Sequence, residues 1–177
     1  MEDRVVKEAL SYALGSDLHE AWRASRRKED GTFEPRIKKS KDEAWNAAHV
    51  TDEVDIANCA FSELPSNWQY ENLEAAKVAI ELSYDKGMNE EPITPDELEE
   101  MGSTIHDEWL KRNDWVFDKE YGNPTLAVPY NQLPEDEKVK DKAQIQPALA
   151  KIEDYKNGLV DVDKICNDYN IPTGKTL

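Results

Sequence analysis

The sequence predicts a mainly α-helical protein with short β strands, arranged as two copies of one unit about a pseudo-twofold axis. Three observations predict it. Apolar residues recur at helical spacing through most of the chain. Between those segments lie Asp-Gly, Gly-Asn and proline signals that leave room only for turns and short extended pieces. The third observation is an order of parts that occurs twice, set out below.

Residues 2–14 carry Val5, Val6, Leu10 and Leu14 at helical spacing, and Gly15 is expected to close that helix. Asp17 is a competent N-cap for a second helix through "LHEAWRASRR". "KEDGTFEPRIKK" reads as a turn with extended flanks, since Asp-Gly supplies a left-handed corner and Pro35 disfavours helix before it. A short helix is expected over residues 41–49, and "VDIANCAF" (54–61) is more strand-like than helical. Pro65 and Asn67 open the longest helix, with Leu73, Ala76, Val78, Ile80, Leu82 and Tyr84 on its apolar side before Gly87.

In the second half, Thr94-Pro95-Asp96-Glu97 has the capping-box pattern, with Thr94 as cap and Pro95 at the first helical position. The helix it opens should carry Leu98, Met101, Ile105, His106, Trp109 and Leu110. "NDWVFDKEYGNPTLAVPY" reads as short strands around a Gly-Asn turn. Pro134 starts a helix to about Ile145, Pro147 restarts it, and a last short helix covers 161–169.

The chain has 177 residues and a net charge of −16, enough length to bury a core without staples. Its 34% charged residues exceed the roughly 25% of ordinary domains, while five Trp, seven Tyr and three Phe argue for folding rather than disorder. Such an acidic surface disfavours nucleic-acid duplexes and anionic membranes. Residues 23–41 depart from it, with eight Lys/Arg against three Asp/Glu; this basic island suits a small anionic ligand or is simply a solvated loop. Cys59 and Cys166 form no CxxC pair, the N-terminal segment lacks the apolar stretch of a signal peptide, and no run approaches the roughly 20 apolar residues that span a bilayer. The expectation is a soluble, cytoplasmic protein, with homo-oligomerisation left open.

"LHEAWR" (18–23) matches "IHDEWL" (105–110), and "AFSELPSNWQYENLEAA" (60–76) matches "PYNQLPEDEKVKDKAQI" (129–145). From the histidine to the leucine of Leu-Pro is 45 residues in the first copy and 27 in the second, so the first carries an insertion of 18 that holds the basic island. This places the domain boundary between 1–87 and 88–177. Equivalent residues of two such copies can meet near the pseudo-twofold axis, and His19/Trp22 and His106/Trp109 are then expected to face one another across a cleft. Equally, His and Trp at i, i+3 can occupy one buried face, the imidazole satisfied by a backbone carbonyl.

"HDEW", Trp115 with Phe117, "NPTLAVPY" and "LPEDEKVKDK" together resemble the ryanodine-receptor (RyR) repeat domain, over roughly residues 103–146. The first half matches only through "LHEAW" and "FSELP". Three positions depart from the family pattern: Asp114 stands for a glycine, Asn123 for a histidine before proline, and Lys142 for a late arginine, which loses a planar bidentate donor. The resemblance implies a mostly helical binding module. Paired repeats of this type can hold adenine nucleotides and aromatic small molecules between aromatic side chains, and in prokaryotic settings such domains have been suggested to sense nucleotide-derived signals in conflicts between cells and viruses; by that resemblance this chain is expected to be a sensor or a protein that sequesters such a signal. Channel activity is not implied.

No catalytic constellation stands out. Arg23 occupies the place of the second histidine that His19-Glu20 would need for a zinc-protease site, and Tyr169 stands where the phosphate loop ending in Gly174-Lys175-Thr176 requires glycine. Metals, cofactors and enzymatic chemistry are therefore not expected. A nucleotide site has its parts: indoles of Trp22, Trp109 and Trp115 to stack on a base, and His19, His106 and Asn123 to read ring nitrogens or hydroxyls. Arg23, Arg26 and Arg112 can meet phosphate, with Tyr130 as a further ring, although Trp115 and Tyr130 fit the core equally well. The expected partner is a nucleotide-like small molecule in a cleft between the repeats. The alternative is an acidic interaction module or inhibitor that binds a basic site on a partner protein.

Overall fold

The computed structural model describes residues 1–174. Among them, helices α1 (Asp3–Ala24), α2 (Glu43–His49), α3 (Ser66–Met88), α4 (Pro95–Arg112), α5 (Glu135–Lys142), α6 (Ile145–Lys156) and α7 (Val162–Asp168) account for most of the chain. Strands β1 (Ile37–Lys39) and β2 (Glu53–Asp55) pair antiparallel, Lys38 opposite Val54, and enclose α2. The protein is thus mainly helical with one small sheet. No helix among the described residues is long and apolar enough to cross a membrane, and Lys175 and Thr176 lie outside them.

The chain packs as two compact units. One holds residues 1–74 with the segment from Val162 onward; the other holds 75–161. The division falls inside α3, not at 87/88, and α7 groups with the first unit by packing on α1. In the first unit, Val5, Val6, Leu10 and Leu14 of α1 are fully buried. Phe61, Leu64 and Leu73 form a cluster there with Tyr12 and Tyr169, whose rings stack at 4.3 Å. The second unit has its own cluster of Met101, Ile105 and Ile145, packed by Val78, Leu82, Ile93, Leu98 and Leu149.

Gly15 does not end a helix: α1 runs unbroken from Asp3 to Ala24, and Asp17 lies within it. A Cβ on Gly15 would stand 3.3 Å from the Phe61 ring and 3.6 Å from the backbone of Asn72 and Leu73. The glycine serves close packing rather than a left-handed cap. Gly102 occupies the matching place in α4, where a Cβ would come within 2.9 Å of the Tyr130 hydroxyl. The capping box of α4 forms as the sequence requires, Thr94 accepting from the Glu97 amide and Glu97 from the Thr94 amide.

The strands expected in 113–130 are absent. Residues 114–117 form a 3-10 turn and the rest is hydrogen-bonded turns. Local side-chain acceptors are the reason: Asp118 Oδ1 takes the amides of Glu120 and Tyr121, and Asn123 Oδ1 takes that of Thr125. These compete with ladder pairing. Within 54–61 the strand covers only as far as Asp55, and 3-10 turns follow at 56–58 and 61–63. Pro147 is the third residue of α6, where its missing N–H costs no helical bond.

Candidate functional site: two His–Trp recesses

His19 lies on α1 and is 3% exposed; His106 lies on α4 and is 2% exposed. Both imidazoles sit in the core, and both are tied to backbone. His19 Nε2 is 2.8 Å from the carbonyl oxygen of Cys59, and His106 Nε2 is 2.7 Å from that of Val128. Since a carbonyl only accepts, Nε2 carries the hydrogen in each case. Three residues on, one helical turn, the indoles of Trp22 and Trp109 lie nearly parallel to the imidazoles, with centroids 5.8 and 6.0 Å apart.

Each pair lines a recess within its own unit. The first, about 260 Å³, is lined by His19, Trp22, Ile56, Leu64, Trp68, Glu71 and Asn72. The second, about 200 Å³, is lined by His106, Trp109, Leu126, Leu133, Glu137, Lys140, Asp141 and Gln144. The correspondence follows one register: Leu64, Trp68, Glu71 and Asn72 stand 69 positions before Leu133, Glu137, Lys140 and Asp141, as Cys59 stands before Val128. Leu64 and Leu133 precede their helices in extended backbone, and the other three stand at i, i+3 and i+4 of the helix entered after Leu-Pro, so they share one face.

The remaining expected site residues are placed otherwise. Arg23 Nε donates to the Ala57 carbonyl, its guanidinium pairs with Glu20 at 2.9 Å, and it lies over the Phe33 ring. Arg26 donates to the carbonyls of Glu34 and Pro35 and lies 5.2 Å from the Trp22 ring centroid. Both arginines thus fasten the basic insertion to α1. Trp115 is half exposed, meets Trp109 edge-on at 6.4 Å and donates to Asn113. Asn123 is engaged in its turn, and Arg112, at the end of α4, lines neither recess. Tyr130 is buried and donates to Glu99, which Lys142 also holds; burial, then that bond, pushes the phenol up.

Asp141 is the most perturbed acid of the recesses. Burial pushes its carboxyl up to about 6, against the pull of His106, and Glu137 adds to the rise. Cys59 is likewise raised by burial, to about 11, and no disulfide forms among the described residues. Trp68, Glu71, Asn72, Glu137, Lys140 and Asp141 line the recesses without belonging to a sequence motif for a site, although they fall inside the two aligned segments at matching helical positions. No group of three or more metal-ligating side chains occurs among the described residues. Comparison of the chain with family models, with curated proteins and with solved structures finds no match in any of the three.

Proposed function

We propose that the protein is a non-enzymatic, cytoplasmic small-molecule-binding module of two RyR-type repeats, each offering a His–Trp recess to the base of a nucleotide-like ligand. The observation that carries this reading is the recurrence of one recess in both units, with histidine and tryptophan repeating at one spacing and the carbonyl and helical-face residues at another, shorter by the insertion. An indole wall supplies stacking of about 1–3 kcal/mol per base. Recesses of 200–260 Å³ are smaller than ordinary ligand pockets of about 300–1,000 Å³, so they suit a ring system with sugar and phosphates outside. Arg26 of the basic insertion lies 5.2 Å from the Trp22 ring centroid, which brings a positive charge beside the first recess of an otherwise acidic chain.

Isothermal titration with adenine and guanine nucleotides, cyclic nucleotides and ADP-ribose derivatives tests the reading. Binding is expected, and Trp22→Ala and Trp109→Ala should each remove one site while circular dichroism stays unchanged. Absence of heat across the panel, with folded protein, would sink it.

A second reading has one specific support. Trp115, Phe117 and Tyr121 are 50–75% exposed on the second unit, which suits a docking surface for a basic partner protein. Capture that weakens with salt and survives both tryptophan changes would favour it.

A further inference from the structure

The two recesses share a frame but differ in their polar floor. At the position where the first presents Asn72, the second presents Asp141 on α5, whose side chain is 16% exposed. Its Oδ2 lies 3.6 Å from His106 Nδ1, beyond hydrogen-bond length, and among the described residues no hydrogen bond reaches the carboxylate. His106 Nε2–H is spent on the Val128 carbonyl, and the Asp141 carboxylate beside the open recess keeps acceptor capacity for donors from outside. The other recess carboxylate, Glu137, is already held by Lys140 at 2.9 Å.

We infer that the second recess takes a guanine-type base, its ring against Trp109 and its two adjacent N–H donors, at N1 and the 2-amino group, on the carboxylate of Asp141. The inference rests on reading the recesses as base sites and adds their selectivity. An ionised carboxylate only accepts, so it matches the guanine edge and opposes the lone pair of adenine N1. The amide of Asn72, donor and acceptor together, matches adenine instead. A guanidinium shares guanine's pair of donors, and the small ligand methylguanidine separates charge recognition from base recognition.

The groups facing Asp141 are His106 from α4 and Glu137 and Lys140 from α5, with Leu126, Leu133 and Gln144 completing the wall. Below about pH 6 the carboxyl gains a proton and loses acceptor capacity, so guanine binding should fade on acidification.

The test is calorimetric titration of guanosine, inosine, adenosine and methylguanidine into wild-type, Asp141→Asn and Trp22→Ala protein. At about pH 8, guanosine should bind the second recess at least about tenfold more tightly than adenosine, with inosine weaker for want of the amino group. Asp141→Asn should abolish that preference, Trp22→Ala should leave it, and wild-type guanosine binding should fall at about pH 5. The pH series needs no substitution and guards against a variant that misfolds. Guanosine affinity unchanged in Asp141→Asn and across pH, or matched by methylguanidine, overturns the inference while base binding stands. No binding of any nucleoside or nucleotide overturns both.

Discussion

The imidazole of His19 bonds the carbonyl of Cys59 across 40 residues of sequence, and thereby fastens α1 to the turn that precedes Leu-Pro. His106 does the same for α4 through Val128. Each histidine is a structural post of its recess, with only Nδ1 left for other partners. Replacing either by Ala orphans a part-buried carbonyl, and a loss of about 1–3 kcal/mol is expected from that alone. Urea unfolding measures it; an unmoved midpoint would show that the carbonyl finds another donor.

Gly102 lies against Tyr130, with no room for a methyl group. Gly102→Ala should therefore destabilise by about 1–3 kcal/mol despite the better helix propensity of alanine. Because the nearest atom is the phenolic oxygen, at 2.9 Å from the added carbon, Tyr130→Phe should recover part of the loss. A double-mutant cycle by thermal unfolding reads the coupling.

Asp141 should make the protein less stable as pH rises. Its folded value, about 6, lies above the 3.8 of an unperturbed carboxyl, so the folded chain holds more protons between the two and stability falls across that window. Asp141→Asn removes the effect. The variant is expected to exceed wild type by on the order of 2 kcal/mol at about pH 8, the gap closing toward about pH 4. Equal pH slopes in denaturant titrations of the two proteins would refute this.

Thr94→Ala breaks the capping box that opens α4. A cost of about 1 kcal/mol is expected, typical of a lost Thr cap. Because α4 carries His106 and Trp109, amide hydrogen exchange in its first turn should quicken while the Trp109 region stays protected.

The helices were legible wherever cap and period agreed: Thr94 to Glu97 opens α4, and α3 follows Pro65 as expected, although it runs through Gly87 to Met88 and buries Ala79 and Ser83 in place of Val78 and Leu82. Where one residue had two physical uses, reading failed. Gly15 is a left-handed stop in many sequences, but here its missing Cβ admits Phe61, a contact that only the folded chain contains. Asp118 and Asn123 converted an extended reading into turns through local bonds that hydropathy does not register. His-x-x-Trp and the helix entered after Leu-Pro are the sequence features whose residues line the two recesses. Arg23 and Arg26 looked like phosphate donors because charge is visible in sequence, whereas the carbonyls of Ala57, Glu34 and Pro35 that occupy them are not. Asp141 is one acid among 38, and its burial, which depends on packing against His106, leaves no mark in the sequence.

The return of α7 to α1 has a consequence for biogenesis. The first 74 residues remain incomplete until the segment from Val162 has been made, whereas residues 75–161 are contiguous. At about 5–20 residues per second, the ribosome imposes a wait of roughly ten seconds between the two halves of the first unit. The middle of the polypeptide is therefore free to mature ahead of its beginning, and a nascent chain arrested before Val162 should expose the α1 surface to chaperones.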